Sequence, residues 1–320
     1  MGSPLVGAER LLLRELIDYA GLFPPARLDL AAAVAAYRVA RDGQYAWVLG
    51  RFLCPTSRLE ELGGALTATM TAGEQTWDVG VIFDLPPAAA AAAAQAFDAA
   101  MDPAARVTVA ELRTPDAAAE GRSLETTADA LRPYLLAATS ISPRVTTYIE
   151  IPLTAAWHDG IPLAIEAVAK LGRHLHREVG VKLRCGGLEL DDFPSCAQVA
   201  RFISASVSAE VAFKATAGLH RPVRHFDPTL GGYRHGFMNL LAATALAEVG
   251  ASEETLEIVL AEEEANAFAL GVAGLQWRRH TAGPSVIKRI RRDAFTAYGS
   301  CDFDEPIADL VGLQIVAAAQ

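Results

Sequence analysis

Short apolar runs alternate with longer amphipathic segments along most of the chain, which is the pattern of repeated strand and helix units. Runs at 46–53, 78–83, 106–112 and 145–151 are rich in branched and aromatic residues, and a segment with helical periodicity follows each of them. Strands that alternate with helices in this way build a parallel sheet covered by helices. The pattern therefore predicts an α/β protein.

Counting these units predicts a single-domain (βα)8 barrel, the TIM barrel, over residues 1–320. The first helix is expected from Glu9 to Asp18 and the first strand at 19–25. A chain of 320 residues suits this fold, which needs about 250 residues and grows by insertion. The extra length falls after strand seven, where we predict an insertion at about 251–284, with a helix running to about Leu270.

Two of the apolar strands each contain one lysine. Lys182 lies in the run 179–187, and Lys214 lies in the run 211–220. A buried parallel strand is normally apolar on both faces, so a lysine in its middle carries a desolvation cost and needs a reason. Alternation along each strand turns both lysines toward the barrel interior, whose carboxyl end is where TIM-barrel active sites lie.

The same alternation places further polar side chains at the carboxyl ends of neighbouring strands. We expect a ring there made of Arg51, Asp84, Glu111, Glu150, Lys182, Arg184, Lys214 and Thr216. Buried ionic networks are weak devices for stability, so such a ring favours function. In the loop after strand seven, His220 and Arg224 are expected to hold an anionic group of a substrate. Three histidines of that loop could bind zinc, although their spacing matches no familiar set of ligands.

Two mechanisms fit this ring. In the first, no cofactor is needed: desolvation and the ammonium of Lys182 lower the pKa of Lys214, whose neutral amine forms a Schiff base with a carbonyl. Glu150, Glu111 or Asp84 would move protons. In the second, Asp84, Glu111 and Glu150 bind Mg²⁺ or Mn²⁺, an arrangement that resembles the carboxylate triad of enolase-type barrels, and the lysines act as acid and base.

The segment Lys214-Ala215-Thr216-Ala217-Gly218 resembles the Lys-x-Ser/Thr-x-Gly motif of the deoxyribose-phosphate aldolases. These are TIM-barrel class I aldolases in which that lysine forms the Schiff base. Gly180-Val181-Lys182, followed by two glycines, is similar to the strand that carries their second lysine, and the two motifs occur in reverse order here. The resemblance implies an aldolase-type lyase with Lys214 as nucleophile and Lys182 as the neighbouring cation.

Composition and charge limit the classes of molecule that we expect this protein to bind. A net charge of −10, with no basic run, argues against nucleic acid. The four cysteines lack metal or disulfide spacing, and no signal or membrane segment is recognisable, so we predict a cytoplasmic protein with reduced thiols. Apolar residues of the insertion, namely Phe268, Leu275 and Trp277, are expected to be exposed and indicate a homodimer contact.

The sequence as a whole predicts a lyase or isomerase that acts on a small anionic carbonyl metabolite. Arg184, Thr216, His220, Arg224 and Arg51 are the predicted substrate-binding residues. A catalytically silent barrel that binds a metabolite is the alternative from a different class, since a fold does not fix a function.

Overall fold

Eight parallel strands, which alternate with helices along the chain, close into a barrel. The structure is a computed structural model that describes residues 7–71, 73–113, 123–153 and 156–318. The barrel strands are β1 (Ile17–Tyr19), β2 (Leu49–Pro55), β3 (Trp77–Ile82), β4 (Ala105–Arg113), β5 (Thr146–Glu150), β6 (Val179–Arg184), β7 (Phe213–Thr216) and β13 (Phe295–Ser300). Around the barrel their order is β1-β13-β7-β6-β5-β4-β3-β2. The predicted (βα)8 barrel is confirmed.

Eleven α-helices are assigned within the described ranges, and most of them cover the outside of the barrel. They are α1 (Ala8–Leu13), α2 (Leu30–Asp42), α3 (Leu59–Thr69), α4 (Pro87–Met101), α5 (Leu124–Thr139), α6 (Trp157–Leu175), α7 (Cys196–Ser208), α8 (Phe237–Glu248), α9 (Glu253–Leu260), α10 (Pro284–Asp293) and α11 (Asp304–Gly312). None of them combines the length and apolar composition that a membrane span requires.

The first strand lies earlier in the chain than predicted. Helix α1 ends at Leu13, Glu15 takes a left-handed φ of 50°, and β1 then pairs with β2 and β13. The prediction of a helix to Asp18 and a strand at 19–25 was wrong. Leu16 and Ile17 continue the helical spacing of the apolar residues before them, and no glycine or proline marks the end of the helix.

The insertion after β7 differs from its prediction in where its helix ends and in the burial of its apolar residues. Helix α9 ends at Leu260, and a three-stranded antiparallel sheet follows, made of β10 (Phe268–Gly271), β11 (Gly274–Trp277) and β12 (His280–Ala282). Phe268, Leu275 and Trp277 are buried within the monomer. The expectation that they are exposed was wrong, because their sheet packs against α8 and α10, and the homodimer contact loses its basis.

A hairpin replaces the loop predicted directly after β7. Its strands are β8 (His225–Asp227) and β9 (Gly232–Arg234), which pair in antiparallel register. An ion pair between Arg234 and Asp227, at 2.5 Å, ties the two strands together. The exposed rings of Phe226 and Tyr233 pack edge to face on the hairpin.

Large and small side chains alternate inside the barrel. The ring of Tyr148 lies against Gly180, where a Cβ atom would come within 2.6 Å of the ring and 2.5 Å of the backbone oxygen of Ala212. Leu53 similarly reaches over Gly80, whose Cβ would lie 2.5 Å from the leucine side chain. The glycines therefore make room for the side chains that fill the interior.

We expect Gly180→Ala to lower the free energy of unfolding by about 2 kcal/mol or more, because the backbone oxygen of Ala212 is unable to move aside as a side chain would. Gly64→Ala is the matched control. Gly64 lies exposed in α3 with nothing near its missing Cβ, so alanine there should stabilise the protein by about 1 kcal/mol. Urea unfolding of the two variants measures both effects. Equal stabilities for the two variants would contradict this account.

Candidate active site

Asp18 occupies the centre of β1 with its side chain inside the barrel and its exposed fraction at 0%. Its Oδ1 accepts a hydrogen bond from the backbone N–H of Arg51 at 2.7 Å, and its Oδ2 lies 2.5 Å from Nζ of Lys214. Gly50 permits this approach, since a Cβ there would lie 2.2 Å from Oδ1. Asp18 is a site residue that the sequence analysis missed, because it placed the residue in a helix.

Lys214 is almost completely buried, with a side chain 1% exposed, and it makes two ion pairs. Its ammonium contacts Asp18 from β1 and Glu111 from β4. Burial lowers the pKa of Lys214, but the two carboxylates outweigh burial, and the net shift is upward. The expected lowering of this pKa was wrong, because two carboxylates contact the amine and no local pattern of residues predicts those contacts.

Lys182 lies beside Lys214, since their Cα atoms are register partners on β6 and β7. Its Nζ is 2.8 Å from Oε2 of Glu111 and 3.2 Å from Oε2 of Glu150. Its side chain is 7% exposed. Glu111 thus bridges the two ammonium groups, one through each carboxylate oxygen.

Arg184 completes this arrangement at the carboxyl end of β6. Its Nε lies 2.8 Å from Oε1 of Glu150, and its side chain is 45% exposed. The contacts form one row of alternating charge, which we call the ion-pair row. In order, it consists of Asp18, Lys214, Glu111, Lys182, Glu150 and Arg184.

Neighbouring cations lower the pKa values of two carboxyl groups of the ion-pair row, those of Glu111 and Glu150. Burial raises the pKa of Glu111, but Lys182 and Lys214 outweigh burial and lower this pKa to about 2. Burial likewise opposes ionisation of Glu150, and the cations of Lys182 and Arg184 give its pKa a net downward shift. Most of the row is removed from water, where replacing ion pairs by apolar residues is often neutral or stabilising. Such a row is better explained by chemistry than by stability.

The structure brings together four of the five predicted catalytic residues and leaves Asp84 apart. Asp84 accepts hydrogen bonds from the hydroxyl of Thr56 at 2.7 Å and from the backbone N–H of Ser57 at 2.9 Å. It therefore fixes the turn after β2, and these neutral donors outweigh burial and lower the pKa of its carboxyl group. Its role in the predicted ring stays a prediction, because the contacts described for it are with this turn.

The three carboxylates of the predicted metal site contact different partners. Glu111 and Glu150 contact lysines, while Asp84 contacts the turn after β2. Over the described ranges, no group of three or more His, Cys, Asp and Glu side chains is arranged to hold a metal ion. The histidines of the β8–β9 region are also separate, since His225 contacts a carbonyl of Val223 and His235 one of Pro194.

His220 lies after the end of β7, between Glu305 and Cys301. Its Nδ1 is 3.4 Å from Oε2 of Glu305, and its Nε2 is 4.0 Å from Sγ of Cys301. Burial lowers the pKa of His220 and raises the pKa of the Cys301 thiol, so both groups favour their neutral forms. All four cysteines are free thiols, as predicted.

The other predicted substrate-binding residues lie at different depths. Arg224 stacks over the ring of Tyr233 at 4.4 Å, on the β8–β9 hairpin. Thr216 is at the carboxyl end of β7 and pairs in register with Arg184. Arg51 instead extends beneath Asp18, where its Nη1 lies 3.5 Å from Oδ1. Thr216 therefore lies beside Arg184, at the carboxyl end of the barrel. Arg51 lies at the opposite end of the ion-pair row, beside Asp18.

Comparison with known proteins does not assign the chain to a family. No protein-family model matches the chain, and no curated protein matches it. The TIM barrel commonly carries enzymes of many classes, with active sites at the carboxyl ends of the strands. The fold and the ion-pair row are therefore the observations from which function is argued.

Proposed function

We propose that this protein is a lyase or isomerase that acts on a small anionic carbonyl compound through a lysine Schiff base. The observation that carries the proposal is the sharing of Glu111 between Lys182 and Lys214 inside the barrel. Two amines, each within hydrogen-bond reach of the bridging carboxylate, supply a nucleophile and a second cation, and the carboxylate supplies a proton carrier.

The nucleophile we assign is Lys182. Lys214 is held between two carboxylates with its pKa raised, so it is suited to remain an ammonium ion. Lys182 is the more exposed of the two, and its partner Glu150 contacts Arg184, which reaches solvent. A substrate that enters from the carboxyl end meets Arg184 and Glu150 before it meets Lys182. Lys182 thus takes the role that the resemblance implies for Lys214, and Lys214 serves as the neighbouring cation.

Substrate binding would release the base that the reaction needs. An anionic substrate group that binds Arg184 competes with Glu150 for the guanidinium, and Glu150 then loses one of the cations that lower its pKa. Glu150 can then accept a proton from Lys182. The neutral amine adds to the carbonyl carbon, and loss of water gives an iminium ion.

The remaining residues stabilise and redirect charge in this scheme. The iminium forms where the Lys182 ammonium stood, so the Glu111 carboxylate that contacted the ammonium stabilises it. The iminium accepts the electron pair of a breaking C–H bond, whose proton passes to the Glu150 carboxylate, or of a breaking C–C bond, whose other carbon leaves as a carbonyl compound after its hydroxyl proton passes to Glu150. The iminium thereby becomes an enamine. Lys214 keeps Glu111 ionised throughout, because its own ammonium is held by Asp18.

The test is reductive trapping with sodium borohydride in the presence of acetaldehyde, glyoxylate, pyruvate or dihydroxyacetone phosphate. We expect a covalent adduct on the Lys182 peptide, found by mass spectrometry and lost in Lys182→Met. Lys170→Met, which removes an exposed lysine of α6, should keep the adduct. Absence of any specific adduct in the wild-type protein, while the same compounds bind, would favour the metabolite-binding alternative.

A further inference from the structure

We propose that the amino end of the barrel is a second ligand site, one that binds a multivalent small-molecule anion such as an oligophosphate or a polycarboxylate. A cavity of about 1820 Å³ opens there. Leu49 of β2, Thr146 of β5 and Val179 of β6, all at the starts of their strands, line it. The cavity is larger than the roughly 300–1,000 Å³ of common ligand pockets, so it has room for a substantial metabolite.

The charge of this cavity is opposite to that of the protein. The chain carries a net charge of −10, yet ten of the residues that line the cavity are arginine or lysine and six are aspartate or glutamate. A concave surface with an excess of one sign concentrates its field and attracts ligands of the other sign. The ligand that this surface favours is therefore an anion with several charges.

Arg291 is the most unusual cation in the cavity. Its guanidinium donates hydrogen bonds to the backbone oxygens of Thr296, at 2.5 Å, and of Arg14, at 2.9 Å, and it also contacts the oxygen of Phe295. It makes no ion pair with a carboxylate in the described part of the chain, and its Nε is buried without a hydrogen-bond partner. Burial lowers the pKa of Arg291 to about 10. A buried cation without a carboxylate carries a desolvation cost that a bound anion would offset.

Two further cations on the cavity wall have no carboxylate partner among the described residues. Arg177 and Lys288 line the cavity and make no ion pair with any residue that the structure describes. Arg51 lies deeper, where it divides its guanidinium between Asp18 and the hydroxyl of Thr108. The cavity therefore offers cations from its rim to its base, as recognition of an extended anion requires.

Calorimetric titration with tripolyphosphate and, separately, with citrate tests this site. We expect saturable binding of at least one probe to the wild-type protein. Arg177→Gln combined with Lys288→Gln should weaken that binding by about tenfold or more, because charge-assisted hydrogen bonds are lost. Arg132→Gln, which removes an exposed cation of α5 outside the cavity, is the control and should bind as the wild type does.

A further variant separates this site from the proposed active site. Arg184→Gln removes the cation at the carboxyl end and should leave the affinity for the probe unchanged. No saturable binding of either probe would overturn the proposal. It would equally be overturned if Arg184→Gln abolished the binding while the Arg177→Gln/Lys288→Gln protein kept the wild-type affinity.

Discussion

Lys214→Met is expected to lower the free energy of unfolding at pH 7 by about 3–5 kcal/mol. The substitution keeps the side-chain volume roughly constant and removes only the charge that Asp18 and Glu111 share. Two carboxylates would then be buried with fewer cations, which costs far more than the loss of an exposed ion pair. Lys170→Met, on the exposed face of α6, should change stability by less than about 0.5 kcal/mol.

Urea unfolding monitored by far-ultraviolet circular dichroism measures this difference. The double variant Lys214→Met/Glu111→Gln provides a sharper check, because it removes an anion together with the cation. It should recover part of the stability that Lys214→Met loses, since the two residues are in contact and their effects are not additive. If Lys214→Met proved as stable as the wild type, Lys214 would not be the buried cation that we describe.

Glu111→Gln should destabilise the protein by several kcal/mol at neutral pH and progressively less in acid. The pKa of Glu111 in the folded protein is lowered to about 2, below the value of about 4.3 for an unperturbed glutamate. Stability from this carboxylate is therefore fully present above pH ~4.3 and is lost as the pH falls toward 2. As the pH falls through about 2, the wild-type side chain becomes protonated and neutral, as glutamine is.

The measurement is the difference in unfolding free energy between the wild-type protein and Glu111→Gln at several values between pH 7 and about pH 3. Other titrating groups change in both proteins, so most of their effect cancels in the difference. Glu60→Gln, an exposed first-turn change in α3, should give a small difference at every pH. A difference for Glu111→Gln that did not shrink in acid would show that its charge does not stabilise the fold.

The hydrophobic pattern was sufficient to predict the barrel and, on β4, β5, β6 and β7, the side of the strand that carries charge. Lys182, Glu150 and Glu111 were found by alternation alone, since a strand has only two faces and helices cover one of them. Asp18 was missed because α1 ends without a glycine or proline, which made Leu16 and Ile17 look helical. Boundaries set by tertiary contacts carry little local signal.

The group that each charged side chain contacts was harder to predict than the strand end at which the residue lies. Glu111 bridges two lysines and Asp84 fixes a turn, yet both residues are carboxylates that occur near the carboxyl ends of neighbouring strands. Which amine or hydroxyl a carboxylate meets depends on the stagger of the strands and the reach of its side chain across the barrel. The direction of the pKa shift of Lys214 depends on those contacts, so it was predicted with the wrong sign.

The ion-pair row also constrains the order in which the parts of the chain can fold. Its members come from five strands, and the contact between Asp18 and Lys214 joins residues separated by 196 positions. Contacts of such long range form late in folding, because the chain between them must first be ordered. During synthesis Asp18, Glu111 and Glu150 emerge before either lysine, so a nascent chain that stops short of β6 has the anions of the row and none of its ammonium groups. We expect such a chain to leave its barrel strands unclosed until β6 and β7 are added.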